Sequence, residues 1–210
     1  MNAMPDVRKV VLDADKCRAE INGLGHLLAS KADLSETGDI QPFFRSHDQV
    51  SAFLGTYAPE IGPAPDIIFE SPIFGNFRAD LIVGNISECA FCLVEFEDGR
   101  ANSIFRKTNR DLTEWSSRFE HGYSQIIDWF ALLDDVKKTD LFKETFGQGY
   151  VRFSGMLLVG RDSSFTGDYD KRRLAWRTDN VVLSSQPVFC LTFDELHRKL
   201  DSRLRLNTGK

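Results

Sequence analysis

The chain has 210 residues, of which 42% are hydrophobic and 27% are charged, and its formal net charge is -5. This composition suits a globular protein with a real core, and the acidic charge argues against a protein that coats nucleic acid through a broad cationic surface, although a local basic groove stays open. The sequence contains neither an apolar run of the ~18 to 20 residues that a membrane helix needs nor the apolar segment of a signal peptide, so we expect a cytoplasmic protein without a membrane partner.

Residues 1–58 are predicted to form an N-terminal helical region. Apolar residues recur at helical spacing over residues 6–30 and again over residues 43–54, and a polar stretch lies between these segments. Prolines from Pro59 onward end this pattern. We therefore divide the chain into residues 1–58 and a second domain of residues 59–210, and the sequence leaves open whether the first region serves regulation or assembly.

The character of the sequence changes to strands after these prolines. Strands are predicted over residues 66–70, 77–83 and 90–97, and their short connections indicate an antiparallel meander. The later predicted elements are a long helix over residues 111–133, a strand over 151–159, a helix containing 170–176, a strand over 188–191 and a C-terminal helix. Thr192 and Glu195 have the spacing of a capping box at the start of that last helix. This order indicates an α/β fold, with a mixed β-sheet flanked by helices.

The cysteines, 4 in number, are expected to be buried thiols. Cys89 and Cys92 form a C-x-x-C pattern at the start of an apolar strand, but a zinc site would need a second pair or suitably spaced histidines. Burial in a reducing compartment therefore explains them better than metal or redox chemistry does.

Two acidic residues stand at the end of the third predicted strand. Side chains alternate along a strand, so Glu95 and Glu97 share one face, and both faces are apolar until Glu95 is reached. The strand is therefore central in the sheet, and its acids lie at the exit. Carboxylates about 7 Å apart at the rim of a core repel each other and lose hydration, and either a divalent cation or an arginine relieves that conflict.

A third acid, Asp80, lies between apolar residues of the preceding strand, where a carboxylate is unfavourable unless something binds it. We take Asp80, Glu95 and Glu97 as the candidate site, with oxygen ligands that suit Mg²⁺ or Mn²⁺. The alternative is structural: Glu97 begins a solvated loop, and Asp80 forms a salt bridge with Arg78 or Arg100.

The long predicted helix carries a polar stripe beside its apolar one. Arg118, His121, Gln125 and Asp128 follow one another at steps of three, four and three residues. If this face turns toward the strand ends, it presents a cation, an imidazole and an amide to a scissile phosphate. The alternative is an ordinary solvent-exposed helix face.

This arrangement resembles the core of the PD-(D/E)XK nucleases, whose motif is an Asp followed at variable distance by Asp/Glu-x-Lys. Here Asp80 precedes the strand that ends in Glu95-Phe96-Glu97, and a helix bearing Gln125 follows. More narrowly, the chain resembles the Shedu family of bacterial antiphage nucleases over roughly residues 60 to 206. The segments that carry this resemblance are residues 94–97, 103–105, 115–129, 157–161 and 172–176.

The resemblance implies a restriction-endonuclease-like fold and a Mg²⁺- or Mn²⁺-dependent nuclease, with nucleic acid, expected to be DNA, as substrate. It implies that Asp80, Glu95 and the backbone carbonyl of Phe96 bind the metal, that Gln125 supports the site, and that Glu97 or His121 orients the attacking water. One departure is important, because Glu97 stands where the motif has lysine. Three alternatives stay open: Glu97 acts through a metal-bound water or helps to hold a second cation, another positive group replaces that lysine, or the protein is a catalytically silent relative that binds nucleic acid, a nucleotide or a protein partner.

Basic residues form clusters despite the acidic total. One cluster follows the acids and comprises Arg100, Arg106, Lys107 and Arg110, and another lies on the later helix and comprises Lys171, Arg172, Arg173 and Arg177. Arg106, Lys107 and Arg118 are the candidates both for phosphate contact and for the missing positive charge, and the alternative for the clusters is a solvated face. Asp48 is a candidate additional acid from the N-terminal region. An unrelated structural α/β domain and assembly into a homo-oligomer both remain open.

Overall fold

The structure, a computed structural model, describes residues 7–63, 66–74, 77–109, 112–146 and 150–208. Its main sheet is 7-stranded, in the order β1-β2-β3-β4-β7-β9-β8, and the strands β5 and β6 form a separate hairpin. The strands are β1 (Arg8–Lys9), β2 (Asp66–Ile73), β3 (Phe77–Asn85), β4 (Ala90–Phe96), β5 (Phe105–Arg106), β6 (Glu114–Trp115), β7 (Arg152–Leu158), β8 (Val182–Leu183) and β9 (Gln186–Leu191).

The sheet is mixed, as the order of predicted elements indicates. Strands β2, β3 and β4 form the predicted antiparallel meander. Strand β4 then pairs in parallel with β7, and β7 pairs in parallel with β9. Every residue of β4 is buried, so β4 is the central strand that its apolar sequence predicts.

Helices supply the connections that parallel strands require. The helices are α1 (Ala14–Ser30), α2 (Gln41–Ser46), α3 (Asp48–Phe53), α4 (Ser117–Val136), α5 (Asp140–Phe146), α6 (Asp168–Asn180) and α7 (Phe193–Thr208), with a π-helical turn at Glu36–Ile40 just before α2. Within the described parts of the chain, none of these helices combines the length and the apolar character that crossing a membrane requires.

Helices cover both faces of the sheet. One face packs against α1, α2, α3 and α7, and their apolar side chains form a single cluster with Leu81, Val94 and Phe96. The other face packs against α4, α5 and α6, and this cluster includes Leu93 and Leu157. The predicted α/β class is thus confirmed, and the arrangement agrees with a nuclease-like α/β core.

The N-terminal helix begins later than the sequence pattern indicates. Strand β1 pairs with β2 at the edge of the sheet. Asp13 then caps α1, because its carboxylate accepts hydrogen bonds from the N–H groups of Asp15 and Lys16 at 3.1 and 3.0 Å. The prediction of helix over residues 6–30 is therefore wrong for the residues before Ala14, and residue 6 itself lies outside the described part.

The later helices show where caps decide the boundaries. Helix α4 begins at Ser117 because the Ser116 hydroxyl accepts a hydrogen bond from the Phe119 N–H at 3.0 Å, whereas the prediction placed its start at residue 111, which is not described. The predicted cap of α7 is confirmed. The Thr192 hydroxyl accepts a hydrogen bond from the Glu195 N–H at 2.9 Å.

All of the cysteines are free and buried, as their apolar surroundings predict. Cys17 lies in α1, Cys89 directly precedes β4, Cys92 lies within β4, and Cys190 lies in β9. Burial raises the pKa of the Cys17, Cys92 and Cys190 thiols to about 12, so these groups stay protonated and unreactive at neutral pH.

Candidate functional site

The ends of β3 and β4 bring the predicted acids together. Leu81 pairs with Val94 across this antiparallel ladder, so extending the register by one residue places Asp80 opposite Glu95. Glu97 follows directly after β4, and its N–H still donates to the carbonyl of Leu158 at 2.9 Å. The acids are therefore held by the sheet itself rather than by a flexible loop.

Asp80 is fixed by two hydrogen bonds. One carboxylate oxygen accepts from the Phe96 N–H at 2.9 Å, and the other accepts from the side-chain amide of Gln41 in α2 at 3.0 Å. Burial raises the pKa of Asp80 to about 6, although the Phe96 N–H opposes this rise. No salt bridge joins Asp80 to Arg78 or Arg100 in the described residues, so the structural alternative does not account for it.

Glu95 faces α4, where the side-chain amide of Gln125 donates a hydrogen bond to Oε1. The resemblance implied this supporting role for Gln125, and the structure brings the two side chains into contact. Glu95 is only 6% exposed. Burial, followed by the charges of Asp80 and Glu97, raises the pKa of Glu95 to about 10.

Glu97 is buried beneath α4 and is 1% exposed. Its Oε2 accepts a hydrogen bond from Arg118 Nη1 at 3.0 Å, while Oε1 has no hydrogen-bond partner among the described residues. Burial raises the pKa of Glu97 to about 7, although Arg118 opposes this rise. An unpartnered buried carboxylate oxygen is a position that a cation or a water molecule can satisfy.

Helix α4 approaches Glu97 closely because it carries Gly122 at the contact. A Cβ atom at Gly122 would lie 2.9 Å from Cγ of Glu97 and 2.7 Å from Cδ1 of Leu157. Glycine at this position therefore lets the helix lie directly on the strand end.

The structure adds an acid that the sequence did not single out, Glu36 in the π-helical turn before α2. The Gln41 amide donates to both Glu36 and Asp80, at 3.3 and 3.0 Å, so it joins the two carboxylates. Burial raises the pKa of Glu36, and the charges of Arg118 and His121 oppose the rise. Glu36 lies in a short polar stretch without apolar periodicity, so its contact with the strand ends gave no signal in the sequence.

Asp48, the acid that the sequence offered from this region, does not reach the site. Its carboxylate pairs with Arg8 at 2.9 Å, near the edge strand β1. Asp48 therefore lies away from the candidate site, whereas Glu36, also from the N-terminal region, lies beside it.

Arg118 is the cation at the centre of the acidic residues. Its guanidinium lies 3.0 Å from Glu97, 3.6 Å from Glu36 and 3.7 Å from Asp98. His121 is exposed one turn further along α4, near Glu36. Of the polar stripe predicted from the sequence, Arg118 and Gln125 contact the acids at the strand ends and His121 lies near Glu36, whereas Asp128 is exposed on the surface.

The other predicted basic residues lie apart from the acids. Arg106 belongs to the small hairpin and pairs with Glu114 at 2.9 Å, and Lys107 follows it on the surface. Among the described residues, no hydrogen bond or ion pair connects either one to Asp80, Glu95 or Glu97. Arg110, from the same predicted cluster, lies outside the described residues.

The chemistry of the donors suits a hard cation, although the protein alone does not form a closed cage. No group of three or more His, Cys, Asp or Glu side chains in the described residues is arranged to hold a metal. Mg²⁺ commonly takes one or two carboxylates and keeps several waters, and its binding by Asp80 and Glu95 stays a prediction. Ligation by the Phe96 carbonyl stays a prediction.

A protein-family model matches most of the chain. The family model described as Shedu protein SduA, C-terminal, matches residues 33–197. The matched range contains Glu36, Asp80, Glu95, Arg118 and Gln125, and it begins inside the predicted N-terminal region. No curated protein matches the chain.

Proposed function

Because this chain belongs to the Shedu protein SduA C-terminal family, we propose that it is a metal-dependent nuclease that hydrolyses phosphodiester bonds of DNA in antiphage defence. The observation that carries the proposal is the convergence of Glu36, Asp80, Glu95 and Glu97 on one end of the sheet. Buried carboxylates so close together repel one another, so their convergence is unfavourable unless a cation or protons neutralise them. Family membership by itself supports a role in defence.

In this proposal Asp80 and Glu95 hold Mg²⁺ or Mn²⁺. The bound ion supplies a Lewis acid that polarises the phosphate and lowers the pKa of a water molecule. The Phe96 N–H fixes the orientation of Asp80, and the Gln125 amide fixes that of Glu95. These hydrogen bonds hold the two carboxylates in fixed orientations before substrate binds.

Arg118 is proposed to replace the lysine of the general motif. Its guanidinium stands beside Glu97, where the motif lysine would be, and it can neutralise charge that develops on a phosphate. Glu97 or His121 is proposed to orient the attacking water. Arg106 and Lys107, exposed on the hairpin, are proposed to contact phosphates farther along the substrate.

A catalytically silent protein is the second candidate, and one observation favours it. Arg118 already lies near Glu36, Glu97 and Asp98, so its charge is partly neutralised before any substrate binds. A binding protein would need no free cation beside the metal. The two candidates differ in whether metal binding is followed by cleavage.

The test combines calorimetric titration of Mg²⁺ and Mn²⁺ with incubation of supercoiled and linear DNA. We expect metal binding and strand cleavage by the unmodified protein, and cleavage slower by on the order of a hundredfold or more in Glu95→Gln and Asp80→Asn. The matched control is Glu60→Gln, at an exposed loop position, which should bind metal and cleave as the unmodified protein does.

The outcomes separate the candidates. Metal binding that Glu95→Gln weakens, without cleavage of any DNA, would support the silent protein. If the protein shows neither metal binding nor cleavage, both candidates are overturned, and the acids are structural groups.

A further inference from the structure

A groove of about 740 Å³ lies between α4 and α6, on the side of α4 that faces away from the acids. Aromatic and arginine side chains line it, among them Tyr123 from α4 and Tyr169, Arg172, Arg173, Trp176 and Arg177 from α6. No part of the proposed hydrolysis uses this groove. Its chemistry differs from that of the acidic site, because its charged lining residues are arginines.

The lining follows from the spacing of residues along α6. Tyr169, Arg172, Arg173, Trp176 and Arg177 recur at intervals of three and four residues, so they share one face of the helix. Aromatic rings and guanidinium groups therefore alternate along the groove. The opposite, buried face of α6 carries Leu174, so the aromatic residues are not needed to anchor the helix to the sheet.

Two arginines form a rigid floor. The Arg177 guanidinium lies 3.9 Å from the centre of the Tyr123 ring, and it donates hydrogen bonds of 2.8 and 3.2 Å to the Glu120 carboxylate. The Arg173 guanidinium lies 4.6 Å from the centre of the Phe105 ring. Stacked and hydrogen-bonded guanidinium groups lose little further entropy when a ligand binds.

The rim presents exposed aromatic rings. Trp176 is 64% exposed and Tyr169 is 51% exposed. Arg172 lies on the surface beside them, with its guanidinium 5.9 Å from the centre of the Tyr169 ring. No ion pair of Arg172 is recorded in the described residues, so its charge is available to a ligand.

We propose that this groove binds single-stranded DNA, by stacking unpaired bases on Trp176 and Tyr169 and by pairing their phosphates with Arg172. This inference rests on the proposed function, since it names the form of nucleic acid that the protein holds. Aromatic faces stack on bases, whereas the faces of bases in a duplex are covered by their neighbours. The combination of exposed rings and a cation therefore selects an unpaired strand over a duplex.

The position of the groove suits a role in holding substrate. Helix α4 carries Arg118 and Gln125 toward the acids and Tyr123 toward the groove, so the two sites lie on opposite sides of one helix, about 10 Å in diameter. A strand bound in the groove is thus held beside the candidate centre without contacting it. The groove residues are positioning residues rather than catalytic ones.

The test measures binding without cleavage. A fluorescein-labelled dT oligonucleotide of about 20 residues is titrated with protein in EDTA at low salt, and anisotropy reports the dissociation constant. Trp176→Ala is expected to weaken binding about tenfold and Arg172→Ala by several-fold, whereas Trp176→Phe retains most of the affinity. Tyr150→Ala, at a 72% exposed aromatic residue elsewhere, is the matched control and should bind as the unmodified protein does.

Four further measurements decide the interpretation. A blunt duplex of equal length should bind more weakly than the single strand, and thermal unfolding of Trp176→Ala should match that of the unmodified protein. Unchanged affinity in both Trp176→Ala and Arg172→Ala would overturn the proposal, as would a change of molecular mass in these variants, which would assign the groove to self-association. Glu95→Gln should bind the oligonucleotide normally, so failure of the groove and failure of the proposed nuclease give different results.

Discussion

Glu95 and Glu97 illustrate how a sheet can hold carboxyl groups in a protonated state near neutral pH. Burial removes their water and raises both pKa values. The charges of Asp80 and Glu97 raise the pKa of Glu95 further, to about 10, whereas Arg118 opposes the rise at Glu97, whose pKa reaches about 7. Protons and a divalent cation therefore compete for the same oxygens. Binding of a metal should displace protons, which makes the site sensitive to pH.

We expect the free energy of unfolding of the metal-free protein to fall as the pH rises. The pKa values of Asp80, about 6, and Glu97, about 7, lie above their ordinary values of 3.8 and 4.5. Their stabilising contribution is complete below about pH 4 and is lost as the pH rises through 6 and 7, and Glu95 extends the decline toward pH 10. Urea titrations should show a loss of at least about 2 kcal/mol between pH 5 and pH 8.

The control for this prediction is the substitution of the most perturbed group. Glu95→Gln mimics the protonated glutamate, so it should make the decline shallower by about 1 kcal/mol per pH unit, whereas Glu60→Gln should not. Mg²⁺ should raise the unfolding temperature more at pH 8 than at pH 6. A Glu95→Gln variant with the slope of the unmodified protein would contradict the assignment.

The acids of the strands could be predicted because alternation along a strand is a local rule. Glu95 and Glu97 follow a run of apolar residues, and Asp80 interrupts one, so each violates the expected pattern. Glu36 does not interrupt an apolar run, so no local pattern marks it. Its place in the site depends on its contact with Arg118 and on the bond between its neighbour Gln41 and Asp80, and both join residues that are distant in sequence, so only the tertiary structure reveals it.

At the scale of single elements, helix α4 covers the acids at the strand ends and supplies their polar partners. One of its sides places Arg118 and Gln125 over the strand ends, and Gly122 allows the close approach. Because packing fixes this helix against β4 and β7, a change in its distance from the sheet should alter the orientation of Glu97.

Gly122→Ala is expected to destabilise the protein by about 1 to 2 kcal/mol. Alanine favours a helix by about 1 kcal/mol over glycine, but its Cβ would meet Glu97 and Leu157 at less than 3 Å, and relieving such overlap commonly costs more. Thermal or chemical unfolding measures the effect, and cleavage should fall in parallel. The matched control is Gly23→Ala in α1, where the nearest atoms lie at 3.7 Å and a gain of up to about 1 kcal/mol is expected. Stabilisation by Gly122→Ala equal to that of Gly23→Ala would show that the helix is free to move.

The long elements could be predicted from the sequence, whereas the short ones could not. Strands β2, β3 and β4 and helix α4 each contain enough residues for a periodic pattern to be visible. Strands β1, β5, β6 and β8 contain two residues each, and they are strands only because a partner lies beside them. The sequence pattern predicts the start of α4 too early, because Glu114 and Trp115 pair with β5 and local propensity does not show this pairing.

At the scale of the whole molecule, Arg161 connects distant parts of the fold. It follows β7, and its guanidinium forms two hydrogen bonds with Asp194 of α7, at 2.8 and 2.9 Å. The same group donates to the carbonyls of Leu28 and Lys31 at the end of α1, at 3.0 and 2.9 Å. The first helix, the last helix and the centre of the sheet are thus fixed by a single side chain.

Arg161→Ala should therefore destabilise the whole protein, by about 2 to 4 kcal/mol, because it removes the guanidinium that pairs with the partly buried Asp194 and leaves two carbonyls without their donor. Arg198→Ala is the control, since Arg198 is 59% exposed where it pairs with Asp162 and should contribute less than about 1 kcal/mol. Chemical unfolding compares the two. Equal effects would show that α1 does not depend on this contact.

The buried cysteines can report where the protein opens locally. Cys17 and Cys92 belong to the cluster on one side of the sheet and Cys190 to the cluster on the other, and each sulfur is shielded and protonated. An alkylating reagent can meet a reactive sulfhydryl only after the surrounding layer has separated. The order in which these sulfurs are labelled would therefore record which side of the molecule separates first, without any introduced probe.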